Sequence, residues 1–293
     1  MKTESVGTPT VHSFFDPVTH TVSHVVVDET TMKAAVIDSV MDYEPNSAKI
    51  SFESADRLIQ FIQKNGWEVE WIIETHVHAD HLSAAPYIRE KLGGNLAIGE
   101  SITVVQEVFG KVFNFGTEFQ CDANQFDRLF KDGEGFKLGS IDAYVLHTPG
   151  HTPADMTYVI GDAAFVGDTL FMPDFGTARC DFPGGSAETL YESIQKIFEL
   201  PEETRLFMCH DYLPKGRTEY EWEATVKAEK EQNIHVGQGH GKEEFINMRS
   251  KRDASLGMPR LIIPSIQVNI NGGRMPKAEE NGTAYLKIPI NQF

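Results

Sequence analysis

"ETHVHADH", residues 74–81, sets three histidines and two carboxylic acids within eight positions. A short apolar run, "VEWIIETH" at 69–76, leads into it with strand character. "SAAPYIREKLGG" at 83–94 follows as a helix, with Pro86 in its first turn and a glycine pair at its end. In extended backbone, residues two apart face the same side, so His76 and His78 share a face. Asp80 and His81 fall where the chain turns into the helix. Without an ion, so many protonatable groups at this spacing repel one another. Imidazole and carboxylate together suit zinc, iron or manganese.

The same grammar recurs along the chain. "IDAYVLHTPGHTPAD" (141–155) reads as a strand and a Pro-Gly turn that delivers His151. "MTYVIGDAAFVGDTL" (156–170) reads as two strands about a Gly161-Asp162 hairpin turn, ending at Asp168. "SAETLYESIQKIFEL" (186–200) is an amphipathic helix capped by Ser186. "TRLFMCHDY" (204–212) is a buried strand ending at His210. Gly150 and Gly167 precede two of these side chains and permit sharp turns. Strands that carry such groups at their C-terminal ends, with helices between them, predict a layered α/β fold with a cleft beyond the strand ends. Upstream, "SHVVVDE" and "MKAAVIDSV" are strands, and "SADRLIQFIQKNG" (54–66) is a helix opening on Ser54 and closing at Gly66. His12, His20, His24, His147, His235 and His240 stand outside the pattern and read as ordinary satisfied histidines.

The chain has 293 residues, 41% of them hydrophobic, enough for one large domain with an appendage. A net charge of −17 argues against a nucleic-acid partner and requires any anionic substrate to meet a local basic cluster. Three cysteines, Cys121, Cys180 and Cys209, are too few for a disulfide framework and fit a reducing compartment. "MKTESVGTPTVHSFFDP" at the N-terminus reads as neither a signal peptide nor an anchor, and no run is long enough to span a membrane. The expected setting is cytoplasmic. The texture changes near residue 213, dividing the chain into a 1–212 catalytic domain and a 213–293 extension packed on it. Within the extension, "TEYEWEATVKAEKEQN" (218–233) reads as a charged, solvated helix. A second helix, a Pro-bounded turn, an apolar stretch and a docked tail follow.

"THVHADH", "PGHT", "GDTLF" and "CHDY", in that order, resemble the metallo-β-lactamase fold superfamily, whose fold is an αββα sandwich with a metal cleft at one edge. The resemblance covers residues 10–215. "FMPDFGTARCDFPGGSAETLYESIQKIFELPEETRLFMCHDY", with the extension "MRSKRDASLGMPRLIIPSIQVNINGG", is similar to the persulfide dioxygenase (ETHE1-like) family in its longer bacterial type. That resemblance implies oxidation of glutathione persulfide by O2 to sulfite and glutathione at one Fe(II) per chain. It implies His76, His151 and Asp168 as ligands, a two-histidine, one-carboxylate set that leaves positions open. His78, Asp80, His81 and His210 then support that set or mark a vestigial second site. By the same resemblance Tyr212 lies near the metal, and Arg179 and Asp181 match an arginine and an aspartate of the family. Tyr212 and Arg179 are thereby the catalytic candidates, and both, with Asp181, are candidates for binding substrate. "ARCDF" departs from the family's pattern at Ala178 and Cys180. Arg217, Arg249 and Arg252 are the candidates for gripping glutathione carboxylates. A homodimer is the family expectation.

The residues themselves leave other readings open. All seven ligand-type side chains also suit a glyoxalase-II-like hydrolase of glutathione thioesters, with two metals and a bridging hydroxide. A metal-loaded binding protein would tend to lose ligands, and none is lost here. A β-lactamase proper fits least, given the extension.

Overall fold

A computed structural model describes residues 7–292, so the first residues of the N-terminal stretch lie outside it. Two six-stranded sheets form its centre. The first has the order β1 (Thr10–Phe15), β2 (Val22–Asp28), β3 (Lys33–Ile37), β6 (Glu68–Ile73), β8 (Asn95–Gly99) and β9 (Arg128–Phe130). The second runs β10 (Gly135–Leu138), β11 (Ile141–His147), β12 (Met156–Ile160), β13 (Ala163–Phe165), β14 (Arg205–Phe207) and β15 (Glu223–Thr225). A small third sheet has the order β5 (Lys49–Ser51), β4 (Val40–Glu44) and β7 (Leu82–Ser83).

Successive side chains of a strand point to opposite faces, and the strands bury both faces. Val26, Ala35, Ile37 and Ile73 of the first sheet meet Val145, Tyr158, Phe165 and Phe207 of the second in a shared core. Their strand neighbours Val25, Val27, Val36 and Ile72 face outward into a second core. That core also holds residues of α1 (Glu53–Asn65), α2 (Ala85–Leu92), α3 (Ile102–Val112) and α7 (Ile262–Asn269). Val159, Ala164 and Leu206 face the opposite way, against α4 (Ala187–Phe198), α5 (Val226–Gln232) and α6 (Lys242–Asp253). Helices therefore cover both outer faces of two stacked sheets, the αββα sandwich. The segment after residue 213 contributes to both flanks: Phe245 of α6 packs beside α4, and Ile262, Ile266 and Val268 of α7 pack beneath the first sheet.

The local signals work as expected at several points. Gly66 ends α1 in the left-handed region (φ 73°), Ser186 accepts from Thr189 N–H to cap α4, and Gly161 turns the β12–β13 hairpin at φ 60°. Two expectations need correction. Ser54 is not the N-cap of α1: the helix starts at Glu53, and Asp42 of β4 accepts from both the Ser54 amide and its hydroxyl. A side chain distant in sequence thus caps this helix. The 218–233 stretch is helical only over Val226–Gln232, because Glu223–Thr225 pair with β14 as an edge strand and Thr225 then caps α5. Its helix is not a solvated face either, since Val226 and Glu229 are fully buried.

No helix among the described residues is long and apolar enough to cross a membrane. The three cysteines are free.

Candidate metal centre

β11 and β13 run the same way, each antiparallel to β12, and β14 runs parallel to β13. Their C-terminal ends lie on one edge of the second sheet. His151, Asp168 and His210 follow those ends by a few residues, and the His76–His81 loop follows β6 of the first sheet. The two sheets are stitched here by Val22 N–H to Cys209 O (2.7 Å) and by a bridge between Thr21 and His210. The four ligand-bearing loops therefore converge at the open edge of the sandwich.

All seven ligand-type side chains meet there in two adjacent sets. His76, His151 and Asp168 each offer one atom, all within 4.8 Å of one another; so do His78, Asp80, His81 and His210. The rings crowd: His76 and His78 centroids lie 4.1 Å apart, and those of His76 and His151 lie 5.3 Å apart.

Hydrogen bonds at the outer ring nitrogens fix which nitrogen faces inward. His151 Nδ1 donates to the Arg179 carbonyl (2.7 Å), and His210 Nδ1 donates to the His20 carbonyl (3.2 Å), since carbonyls only accept. His78 Nε2 donates to Asp38 Oδ1 (3.0 Å). The Thr75 hydroxyl gives its one proton to Asp38 Oδ2 (2.8 Å), so His76 Nδ1, 3.0 Å from that hydroxyl, must donate to it. In the neutral ring the second nitrogen carries the lone pair.

That arrangement leaves His76 Nε2, His78 Nδ1, His81 Nε2, His210 Nε2, Asp80 Oδ2 and Asp168 Oδ1 buried without a hydrogen-bond partner. His210 Nε2 lies 3.2 Å from Asp80 Oδ2 and 3.4 Å from Asp168 Oδ1, close enough for ion pairing, but His76 Nε2, His78 Nδ1 and His81 Nε2 have no such partner among the described residues. Each of these three costs about 1–3 kcal/mol if nothing satisfies it, and three at one point are not an ordinary core. A divalent cation satisfies them together, so the donor set fits a metal. Burial and the neighbouring imidazoles of His78 and His151 hold His76 well below the usual histidine range, keeping its lone pair free. Burial opposes charge on His78 and His210 too. There it is overridden by Asp38 for His78 and by Asp80 and Asp168 for His210, which hold both well above the usual range. Carboxylates of that strength draw a cation to the site.

Glycine is needed at two points. Gly150 and Gly167 have φ of 147° and 51°. A Cβ at Gly167 would sit 2.7 Å from Thr75 Oγ1, and one at Gly150 would sit 2.4 Å from the Leu190 backbone.

A cavity of about 360 Å³ opens onto Asp80, His151 and Asp168. Phe171, Phe175, Phe182, Tyr212 and Leu261 form its apolar walls. Tyr212 stacks on His210 with centroids 5.6 Å apart. Tyr212 is 37% exposed, but desolvation in the cavity, together with Asp80 and Asp168, raises the phenol above its ordinary value, so it stays protonated.

The arginines separate. Arg179 lines the cavity, but its guanidinium is gripped by Asp181 through two 2.6 Å bonds and by the Gly257 carbonyl. Asp181 serves that pair and does not line the cavity. Arg249 is buried, donating to Asp253 and to the Thr177 carbonyl. Arg217 does not reach the cavity at all: Asp211, Asp174 and Glu221 surround it. Arg252 lines the rim, exposed and with no ion pair among the described residues. Arg260 stands beside it in the same state, and sequence reasoning missed it. Asp38, Thr75 and Asn269 were also missed. Thr75 lies within the 74–81 stretch beside His76 and carries no ligand-type group, whereas Asp38 and Asn269 sit outside every ligand motif and only the fold brings them to the loop. Cys180 is buried against Asp253 rather than facing the cavity, and burial with that carboxylate pushes its thiol up to about 12. Cys209 is buried beside His210, as expected. Of the histidines outside the pattern, His147 bonds the Pro153 carbonyl and His24 the Met208 carbonyl, whereas His12 Nε2 and His20 Nδ1 are buried without a hydrogen-bond partner among the described residues, contrary to expectation.

Residues 16–210 match the family model of the metallo-beta-lactamase superfamily. A "probable metallo-hydrolase" of Burkholderia pseudomallei is 52% identical over 96% of this chain and 99% of its own length. Human mitochondrial persulfide dioxygenase ETHE1 is 30% identical over 69% of this chain and 68% of its own. The crystal structure of ETHE1 from Myxococcus xanthus superposes with a TM-score of 0.71 at 28% identity, covering 90% of this chain and all of that one. The chain belongs to the metallo-beta-lactamase superfamily and is related to its ETHE1-like members.

Proposed function

We propose that this chain is a persulfide dioxygenase, acting on glutathione persulfide with one Fe(II) held by His76, His151 and Asp168. The observation that carries the reading is the placement of this two-histidine, one-carboxylate set. Its His151 and Asp168 face an apolar cavity with unpaired arginines at the rim. The likeness to the human and Myxococcus proteins supports it. Iron(II) supplies redox chemistry toward O2 that redox-silent zinc does not. Overall, persulfide, O2 and water give glutathione and sulfite.

The chain's own side chains have separate tasks. Arg252 and Arg260 attract the carboxylates of the glutathione moiety and orient its sulfur toward the cavity floor. Phe171, Phe175, Phe182 and Leu261 exclude bulk water from a reactive sulfur. Tyr212 keeps its proton and donates from its hydroxyl to the substrate. His78, His81 and His210 shape and charge the centre from behind, and Asp80 does so from the cavity side. Residues 213–293 act as an extension of the 1–212 catalytic domain and supply the arginine rim. The three free cysteines suit a reducing, cytoplasmic setting.

One observation favours a second reading. His78 Nδ1, Asp80 Oδ2, His81 Nε2 and His210 Nε2 are clustered and make no hydrogen bond among the described residues, a complete second donor set. Two metals there would make a hydrolase of glutathione thioesters, in keeping with the name of the Burkholderia relative. Metal analysis of single variants separates the two. A dioxygenase loses its iron in His76→Ala, His151→Ala and Asp168→Ala and retains most of it in His78→Ala. Equal loss in all four contradicts the three-ligand assignment.

A further inference from the structure

We propose that Asn269, at the C-terminal end of α7, is a positioning residue for the metal centre. Through it the segment beyond residue 213 holds the ligand loop in shape. Its side-chain Nδ2 donates to the carbonyls of His78 and His81, both at 2.8 Å, and its Oδ1 accepts from the Ser83 amide, also at 2.8 Å. One amide therefore engages three backbone groups of the loop that carries His78, Asp80 and His81. The residue is 5% exposed, so water does not compete for these bonds.

The loop needs such a partner. Residues 74–81 form neither strand nor helix, so no repeating backbone ladder fixes them. β7, directly after it, is only Leu82–Ser83, paired to β4. A primary carboxamide is the one side chain of this size with two N–H donors and a carbonyl acceptor. Aspartate at 269 keeps the acceptor and sets a carboxylate against two carbonyls. Alanine strands all three backbone groups. The donor is itself held rigidly, because Ile262, Ile266, Val268 and Ile270 around it are buried in the core beneath the first sheet. Asn269 is 191 and 188 residues from His78 and His81 in sequence, so nothing local announces the contact.

This inference rests on the reading of the site as a metal centre and is tested without turnover. Full-length wild type, Asn269→Ala, Asn269→Asp and Gln267→Ala are titrated with Co(II). The visible bands report ligand number and geometry, and competition with a chromophoric chelator gives affinity. Gln267 is the control: it ties α7 to the tail through Lys287 (2.9 Å each way) and does not touch the histidine loop. Removal of a group that hydrogen-bonds a metal ligand directly costs about 10- to 100-fold in affinity. Asn269 instead holds the backbone of the loop that carries His76, so the lower end, about 10-fold, applies. We expect that loss, with altered Co(II) bands, in both Asn269 variants. Gln267→Ala melts lower but keeps wild-type bands and affinity. Folded Asn269 variants with wild-type bands and affinity overturn the proposal. So does a Gln267→Ala loss as large as theirs, which would mark general loosening of the segment. Should Asn269→Ala not fold, Asn269→Asp decides by the same criteria. Wild type that takes up no Co(II) overturns the metal reading itself, and this inference with it.

Discussion

Replacing Glu229 by glutamine should stabilise the protein, and by an amount that grows with pH. Glu229 lies on α5 and is fully buried. Its Oε2 accepts from Asn233 Nδ2 at 2.6 Å, while Oε1 has no partner. Burial is the dominant influence and pushes the carboxyl up from 4.5 to about 8; the Asn233 bond opposes this and Asp174 adds to it. Because the folded value lies above the unfolded one, the folded chain holds the proton more tightly. Its contribution to stability is complete below about pH 4.5 and is lost progressively as pH rises to about 8. At about 1.4 kcal/mol per pH unit, the full span corresponds to about 5 kcal/mol. Glutamine keeps an acceptor for Asn233 and carries no proton to lose. The variant should match wild type near pH 4.5 and exceed it by about 3–5 kcal/mol at pH 8. For a chain of this size that is about 5–8 °C in melting temperature. Thermal melts at half-unit steps from pH 4.5 to 8.5 measure the difference directly. Parallel curves across that range would refute the argument, since they would mean that Glu229 is ionised and satisfied in the fold. Asn233 also donates to the Gly176 carbonyl, so the titration reaches the loop that forms one cavity wall.

Three further outcomes follow from the site. Gly167→Ala should cost about 1–3 kcal/mol through the left-handed backbone and the crowding of Thr75 Oγ1. By displacing the partner of His76 Nδ1 it should also weaken metal binding, read by melting and metal titration together. Arg252→Ala and Arg260→Ala should each raise KM for glutathione persulfide by about 3- to 10-fold with kcat nearly unchanged, because these exposed cations only hold the substrate. Arg217→Ala should lower the melting temperature and leave KM alone, since Arg217 serves Asp211 and Asp174 and does not touch the cavity.

The ligand-type side chains were legible because each sits in a compact motif directly after an apolar strand. Glycines at Gly150 and Gly167 flag the turns. The layered fold followed from the same alternation of strands and helices. What stayed hidden is what the fold brings together from far away. Asp38 reaches Thr75 and His78 across the sheet, and Asn269 reaches the loop from the far end of the chain. Neither lies in a motif, and hydrogen bonds of this kind leave no periodic trace. The 95–130 region was not assigned for a different reason. α3 carries Ile102, Val104, Val105, Val108 and Val112, β-branched residues that blur a helical signal, and Gly110 lies near its end. The 218–233 stretch misled in the opposite sense. Its composition is helical, but pairing with the edge of β14 and burial of Val226 and Glu229 decide its structure.

The most direct test of the account is oxygen uptake by the iron-loaded protein given glutathione persulfide. The account predicts O2 consumed in step with sulfite formed, by protein holding one iron per chain. Product formed at an unchanged rate when O2 is withdrawn would contradict it.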